Sequence, residues 1–405
     1  MQKASTLHTT ESAAPSRAIA KESTRLYFID HLRAALTILV VLHHIAMVFG
    51  ASAPFYFVDP PLDEPVAFRD LLVFALVNQG WFMGAFFLLA GYFTPTSFDR
   101  KGTGPFLKDR LIRLGIPLIV FTFILGPLSG LGAWLMPVEL TGITNPPTWE
   151  VYPDLLGIGP LWFVLMLLIF SVGYAAWRLL IKPSWVSNEG PSHLGYGKIL
   201  VFTIALAVVS FFFRMLIPLG QSTSVIFDFI SFPTLAYLPQ YLGMFIVGLV
   251  AARNDWLRTI SNAMGLVGFI AAAAATIILF PLAFSGQLFS LELTEAMQNA
   301  MGNGHWQSAA YVAWDSILVV GLSLGLIALF RNVFNVKGWL GTFLSKQSYA
   351  VYIIHIPIVV YLTYALTSLD LTNIQKTIVA SIIIVPVCYI VAFLIRKLPF
   401  VSRVV

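Results

Sequence analysis

Charge is what this chain has least of. Only 11% of its 405 residues are Asp, Glu, Lys or Arg. A soluble domain carries about a quarter, so the shortage excludes an ordinary soluble multidomain protein. Cysteine is nearly absent. The single Cys388 excludes an intramolecular disulfide framework and a thiol-based metal cluster. No Gly-x-Ser-x-Gly elbow occurs, which argues against an exposed serine nucleophile. Metal-ligand spacing is missing, because His43 and His44 are adjacent and adjacent residues point to different helix faces. There is no Walker loop; Gly102-Thr103-Gly104-Pro105 is a Gly-rich turn that means little alone.

Apolar residues make up 58% of the chain. They gather in blocks of about 20, each long enough to cross a bilayer. Ten spans are expected, at 28–49, 70–93, 114–136, 159–181, 198–218, 235–252, 263–284, 308–330, 348–368 and 377–396. The fold class is therefore all-α, a polytopic membrane helix bundle, since each helical span satisfies its own backbone groups. Residues 1–24 are Ser-, Thr- and Ala-rich without a signal-peptide core, and are expected to be a disordered cytoplasmic tail. The membrane domain is expected over 25–396, with a short cytoplasmic tail at 397–405.

The net charge of +5 reads as cytoplasmic loop charge, with no nucleic-acid partner implied. Lys3, Arg17, Lys21 and Arg25 precede the first span. Arg100, Lys101, Lys108, Arg110 and Arg113 fill the next loop on that side, with Lys182, Arg253, Arg258, Arg331, Lys337, Lys346, Arg396, Lys397 and Arg403 further on. The opposite loops hold acids such as Asp59, Asp63, Glu64, Glu139, Glu150, Asp154, Glu292 and Glu295. Both termini are accordingly expected in the cytoplasm. Gly84, Gly91, Gly243 and Gly248 are expected to let helices approach closely.

The first span carries its charge on one stripe. At about 100° per residue, Asp30, Arg33, Thr37 and His44 fall within roughly 60° of one another, and His43 lies about 100° from His44. Ionisable groups in a bilayer are costly and persist where they face a protein interior or a wet path. This face therefore lines a site, with His44 its most reactive group. Asp30 and Arg33, three apart, are expected to pair. At about 1.5 Å per residue, His44 stands roughly 16 Å from Arg33, towards the outer side. Asn78, Gln79, Trp162, Arg214, Gln240 and Asp315 sit at similar depth on five other spans, while Ser348, Tyr352 and His355 are expected near the depth of Arg33. Structural glue, such as Arg214 with Asp315, is the bland alternative for any one of them. As a set they suggest a polar path from the cytoplasm to an outer cluster. Arg110 and Arg113 share a face at the start of the third span, an arrangement suited to phosphates.

Several motifs resemble the integral-membrane acyltransferase 3 family, which includes O-acetylases of bacterial surface polysaccharides and glucan-succinylating proteins. Arg25, Asp30, Arg33 and His44 are similar to its first span. Phe86-Phe87-Leu88-Leu89-Ala90-Gly91-Tyr92 resembles its FF-x-x-SG-F pattern, although Ala90 stands where Ser is common and His31 where Gly is frequent. Arg110-Leu111-Ile112-Arg113 with Pro117 resembles its RxxR element. Pro160-Leu161-Trp162-Phe163, the run from Tyr241 to Gly248, and the run from Ser348 to Pro357 follow in family order.

The resemblance implies acyl transfer from cytoplasmic acyl-CoA, acetyl or succinyl in type, to a hydroxyl of a carbohydrate or glycolipid reached from the outer side. It also implies a bacterial inner or plasma membrane location and no metal. Arg110 and Arg113, with Tyr352 and His355, would bind CoA. The pantetheine arm would pass Arg33. His44 would act as general base or transient acyl carrier, with Asp30 and Arg33 orienting each other and the donor. Asn78, Gln79 or Arg214 would stabilise the thioester oxyanion, with Trp162 and Asp315 as further substrate contacts. The hydrolase-like extension of some relatives is not seen, so the acceptor is expected to be acylated directly or with the help of a separate protein. A secondary transporter or flippase is the competing reading, though no inverted repeat is visible. A non-catalytic assembly factor is a third.

Overall fold

The computed structural model describes residues 25–50, 55–61, 64–181, 192–225, 230–232, 235–287 and 293–405. The tail 1–24 with its basic residues, and Asp63, Lys182 and Glu292, lie outside the described residues. Ten helical segments are long and apolar enough to cross a membrane, matching the ten expected spans. They are α1 (Tyr27–Gly50), the pair α2 (Pro65–Gln79) and α3 (Phe82–Lys101), α4 (Thr103–Leu135), α5 (Trp162–Leu180) and α6 (Tyr196–Leu216). After the hairpin strands β1 (Thr223–Val225) and β2 (Ile230–Phe232) come α7 (Leu238–Asn254) and α8 (Asn262–Ala283). The short α9 (Leu293–Met301) is followed by α10 (Trp306–Val333), α11 (Trp339–Leu366) and α12 (Asn373–Ile395). The chain is a multi-pass membrane protein of the all-α class.

Helix α1 is the hub, with α2, α3, α10, α11 and α12 packed around it. Lipid tails are as apolar as the helices, so association rests on close packing rather than on water expulsion. Small residues supply it where α3 meets α7. A Cβ on Gly91 would run into the Phe245 carbonyl, and one on Gly248 into the Leu88 carbonyl. At Gly84 a Cβ would come within 2.6 Å of Val319 on α10. Gly243 differs from expectation: its face meets Phe202 and Leu206 at ordinary contact distances of 3.5 and 3.6 Å, so no close approach depends on it.

Three departures from the expected spans shape the interior. The second span is broken at Gly80 and Trp81, and the freed Gly80 carbonyl accepts a 2.8 Å hydrogen bond from Gln240 Nε2. Span four of the chain order, α5, starts as expected, but the preceding α4 carries π turns at Leu111–Gly115 and Phe121–Leu125; such turns favour functional sites. Helix α11 begins at Trp339 rather than at 348. Residue 355 is therefore carried further along the bundle than the expected span allowed. At the far end of α1, Asn373 ties three segments together. Its Nδ2 donates to the carbonyls of Phe49 and Asp59, each at 2.7 Å, and its backbone N–H donates to the Glu64 carboxylate.

Candidate active site

Two histidines meet in the interior. His355 Nε2 on α11 lies 3.1 Å from Nδ1 of His44 on α1. The expectation that His355 sits at the depth of Arg33 is thus corrected, because the early start of α11 lifts it beside His44. His44 Nδ1 also lies 2.9 Å from the Val40 carbonyl oxygen, one turn back on its own helix. A carbonyl can only accept, so this nitrogen carries the proton of the neutral ring and Nε2 keeps the lone pair. His355 is fully buried and His44 half-buried. Phe55 stacks on the His44 ring at 5.4 Å.

That lid residue belongs to a loop held in place from both sides. The Asp59 N–H donates to the Val48 carbonyl at 3.0 Å, and Lys376 pairs with the Asp59 carboxylate at 3.0 Å. The neighbouring Tyr56 hydroxyl packs against Gly159, whose φ of +43° and crowded Cα admit no side chain. Burial raises the Tyr56 phenol above its usual range. His43 turns towards α3: its ring lies 5.1 Å from that of Phe82 and meets the His44 ring edge-on at 5.5 Å, and its Nδ1 has no partner among the described residues.

An aromatic wall continues from the histidine pair. The Tyr352 hydroxyl donates to the Pro160 carbonyl at 2.5 Å, and the Tyr352 ring packs on Phe163. Trp162 stacks on Tyr241, and Tyr241 on Tyr237. Gln79 donates to the Tyr241 hydroxyl at 3.2 Å. Beyond Tyr237 lies Arg214, paired with Asp315 at 2.6 Å and packed over the rings of Tyr237 and Tyr311. Both charged side chains are 0–1% exposed. Of the three oxyanion candidates, Gln79 is engaged with Tyr241, while Arg214 bonds Asp315 through Nη2 and keeps Nε and Nη1 without partners among the described residues. Asn78, buried at the α2–α3 break, has an Nδ2 with no partner. The break also leaves the first-turn N–H groups of α3 without helical acceptors.

The other end of α1 departs from the expected pairing. Asp30 holds Arg25 at 2.7 Å, not Arg33. Arg25, two residues before α1, reaches the carboxylate, leaving the half-buried Arg33 guanidinium without a hydrogen bond or ion pair to any described residue. Thr37 is spent on the Arg33 carbonyl. Arg110 and Arg113 do not form one equivalent pair. The π turn that starts after Arg110 rotates Arg113 outward, where it pairs with Asp109 at 3.3 Å. Asp109 also holds Lys101 at 2.8 Å. Arg110 packs over Phe106, and its buried Nε is unpartnered. Tyr349, on α11, donates to the Arg113 carbonyl and joins this region to the helix that carries His355. Among the described residues no cluster of His, Cys, Asp and Glu could hold a metal.

Sequence reasoning missed Phe55, Tyr237 and Tyr311 as neighbours of these groups. Phe55 sits in a short loop, and nothing in the sequence around the two tyrosines marks them as neighbours of Arg214.

A membrane-embedded histidine pair, a half-buried arginine without an ion pair on the same helix and a phosphate-suited arginine element define the class: a polytopic membrane protein with a polar interior site. A family model described as an acyltransferase domain matches residues 26–397. The chain belongs to this acyltransferase 3 family, and it is an acyltransferase acting on groups other than amino-acyl groups. It is 25% identical to glucans biosynthesis protein C of Salmonella typhi over 351 residues, covering 83% of each chain. It is 26% identical to the protein of that name from Salmonella schwarzengrund over 352 residues, and 23% identical to the one from Shigella dysenteriae serotype 1 over 359, again with 83% of each chain covered. No solved structure matches.

Proposed function

We propose that this enzyme moves an acetyl or succinyl group from acyl-CoA to a hydroxyl of an envelope carbohydrate or glycolipid, with His44 as general base. The observation that carries this reading is the state of His44. Its Nδ1–H is committed to the Val40 carbonyl, so the basic nitrogen is Nε2, in a half-buried position under Phe55. The names of the relatives support a glucan-like acceptor. Both termini lie in the cytoplasm of a bacterial cell, and the bilayer is its inner or plasma membrane.

In the reaction the acceptor O–H gives its proton to His44 Nε2 as the oxygen attacks the thioester carbonyl carbon. The C–S bond then breaks, and the thiolate leaves with that proton as free CoA. Donor recognition falls to Arg110 and Arg113 on the phosphates, and to the unpaired Arg33 along the pantetheine path; Tyr352 and His355, expected beside them, are instead engaged with the Pro160 carbonyl and His44 and are left out of the donor site. Asn78 Nδ2, a buried donor without a partner, would stabilise the developing oxyanion. Arg214 and Asp315 brace the stack of Tyr237, Tyr241 and Trp162, which lines the acceptor side. Asp30 holds Arg25 and thereby keeps Arg33 free.

The test uses the purified protein with radiolabelled acetyl-CoA and succinyl-CoA and a β-glucan oligosaccharide. Label in the glucan with stoichiometric release of CoA is expected. CoA binding without thioester loss over a panel of glucan and glycolipid acceptors would overturn the reading.

A further inference from the structure

The Tyr352 carbonyl oxygen lies 2.8 Å from Nδ1 of His355. A carbonyl accepts only, so the neutral His355 ring carries its proton on Nδ1, and its Nε2 bears a lone pair. That lone pair is 3.1 Å from His44 Nδ1. The direction of the hydrogen bond follows: His44 Nδ1–H donates to His355 Nε2 while sharing its proton with the Val40 carbonyl. Both acceptors select the same tautomer of His44. The local sequence supports the arrangement. Tyr352 and His355 are three apart and share a helix turn, and the Tyr352 hydroxyl anchors that turn to the Pro160 carbonyl. The rings of His44 and His355 lie 4.9 Å apart at 50°.

We propose that His355 is the positioning residue of this active site: it fixes His44 with its basic Nε2 towards the substrates and receives the Nδ1–H bond that strengthens when His44 becomes an imidazolium. This rests on the reading of His44 as the base. In serine-protease triads an aspartate holds the histidine in the same way. Here, among the described residues, no carboxylate lies within ion-pair distance of His44. A neutral imidazole supplies the acceptor without the cost of burying a permanent anion in the bilayer. When His44 takes the acceptor proton, the new charge is shared with a fully buried ring rather than left in a site where water is scarce. The proton later returns from Nε2 to the leaving thiolate, so the pair ends each turnover as it began.

The experiment compares His355→Leu, which fills the volume without an acceptor, with His355→Gln, whose amide oxygen can take the place of Nε2. For His355→Leu, kcat is expected to fall about 10- to 100-fold, a part of what losing the general base itself costs, with KM for acyl-CoA unchanged. His355→Gln recovers most of the rate. In protein labelled with ¹⁵N-histidine, the His44 signals of the parent show Nδ1 protonated, and in His355→Leu the Nδ1–H resonance shifts to that of a bond to the Val40 carbonyl alone. A role limited to filling space would move neither the spectrum nor the difference between Gln and Leu. Unchanged kcat and an unchanged His44 spectrum in His355→Leu, with His44→Ala inactive, overturn the positioning role alone. Activity in His44→Ala overturns the base itself. Should His355→Leu fail to fold, the parent spectrum still decides, because a His44 ring protonated on Nε2 contradicts the proposed hydrogen-bond direction.

Discussion

Replacing Asp315 with Ala would leave the Arg214 guanidinium uncompensated inside the bundle. The two groups are 2.6 Å apart with side chains 0% and 1% exposed, so neither water nor a second described carboxylate relieves the orphan. Removing one member of a buried pair costs about 3–5 kcal/mol, whereas replacing both with apolar groups is often neutral or stabilising. Were the contact no more than an interhelical hydrogen bond, its loss in a membrane protein would cost only about 0.6 kcal/mol, with a ceiling near 1.7. The two magnitudes separate the explanations. Asp315→Ala and Arg214→Met should each lower stability by the larger amount, and the double variant Arg214→Met with Asp315→Leu should recover nearly all of it. Asp315→Asn should behave like Asp315→Ala, because it keeps a hydrogen-bond acceptor but not the charge. Reversible unfolding of the detergent-solubilised protein provides the assay. Additive losses in the double variant, or single losses below about 1 kcal/mol, would refute the reasoning, since the charge penalty is what the coupled pair removes.

Gly248→Ala should destabilise the protein by about 1–3 kcal/mol in the same assay, the usual range for overpacking, because its Cβ meets the Leu88 carbonyl. Gly243→Ala, with open contacts to Phe202 and Leu206, should be close to neutral, and equal losses at the two positions would contradict the assigned packing. Arg110→Ala should weaken CoA binding measured by calorimetry more than Arg113→Ala does, because Arg113 is already paired with Asp109; undiminished affinity in the double variant would remove both from the donor site. Asn78→Asp, which turns a donor edge into a negative acceptor, should lower kcat by about 100- to 1,000-fold at similar KM, as for a lost oxyanion donor. An effect confined to KM would place Asn78 outside the oxyanion site.

Run length and loop charge made the ten spans legible, and angular position set His44 apart from His43. These are local quantities, and a single sequence contains them. Neighbour relations are not local. The polar pair Asn78-Gln79 precedes the break at Gly80, but a glycine inside an apolar run is common in membrane helices, so the run of 70–93 reads as one span; the donor that steadies the break, Gln240, comes from α7. Lys346 and Gln347 read as a loop before the ninth span, yet they lie inside α11, where Arg396 bonds the Lys346 carbonyl and the Gln347 side chain. Starting that span too late placed His355 at the wrong depth and hid its contact with His44. Helix spacing likewise matched Asp30 to Arg33, but Arg25 and Leu26 stand outside the helix, and Arg25 reaches the carboxylate from there. Arg214 and Asp315 were legible as an ion pair because a bilayer interior leaves isolated charges few alternatives; the tyrosines around them depended on the fold.

The central claim is that His44 takes the acceptor proton, and the adjacent histidine offers an internal control. The substitutions His43→Ala and His44→Ala remove the same group one residue apart. His43 packs on Phe82, whereas His44 faces His355 under Phe55. Acceptor acylation measured in membranes at matched protein levels should fall about 100- to 10,000-fold in His44→Ala, the range for a lost general base, with CoA binding intact. His43→Ala should keep most of its activity. Sustained acylation by His44→Ala, or loss confined to His43→Ala, would contradict the account.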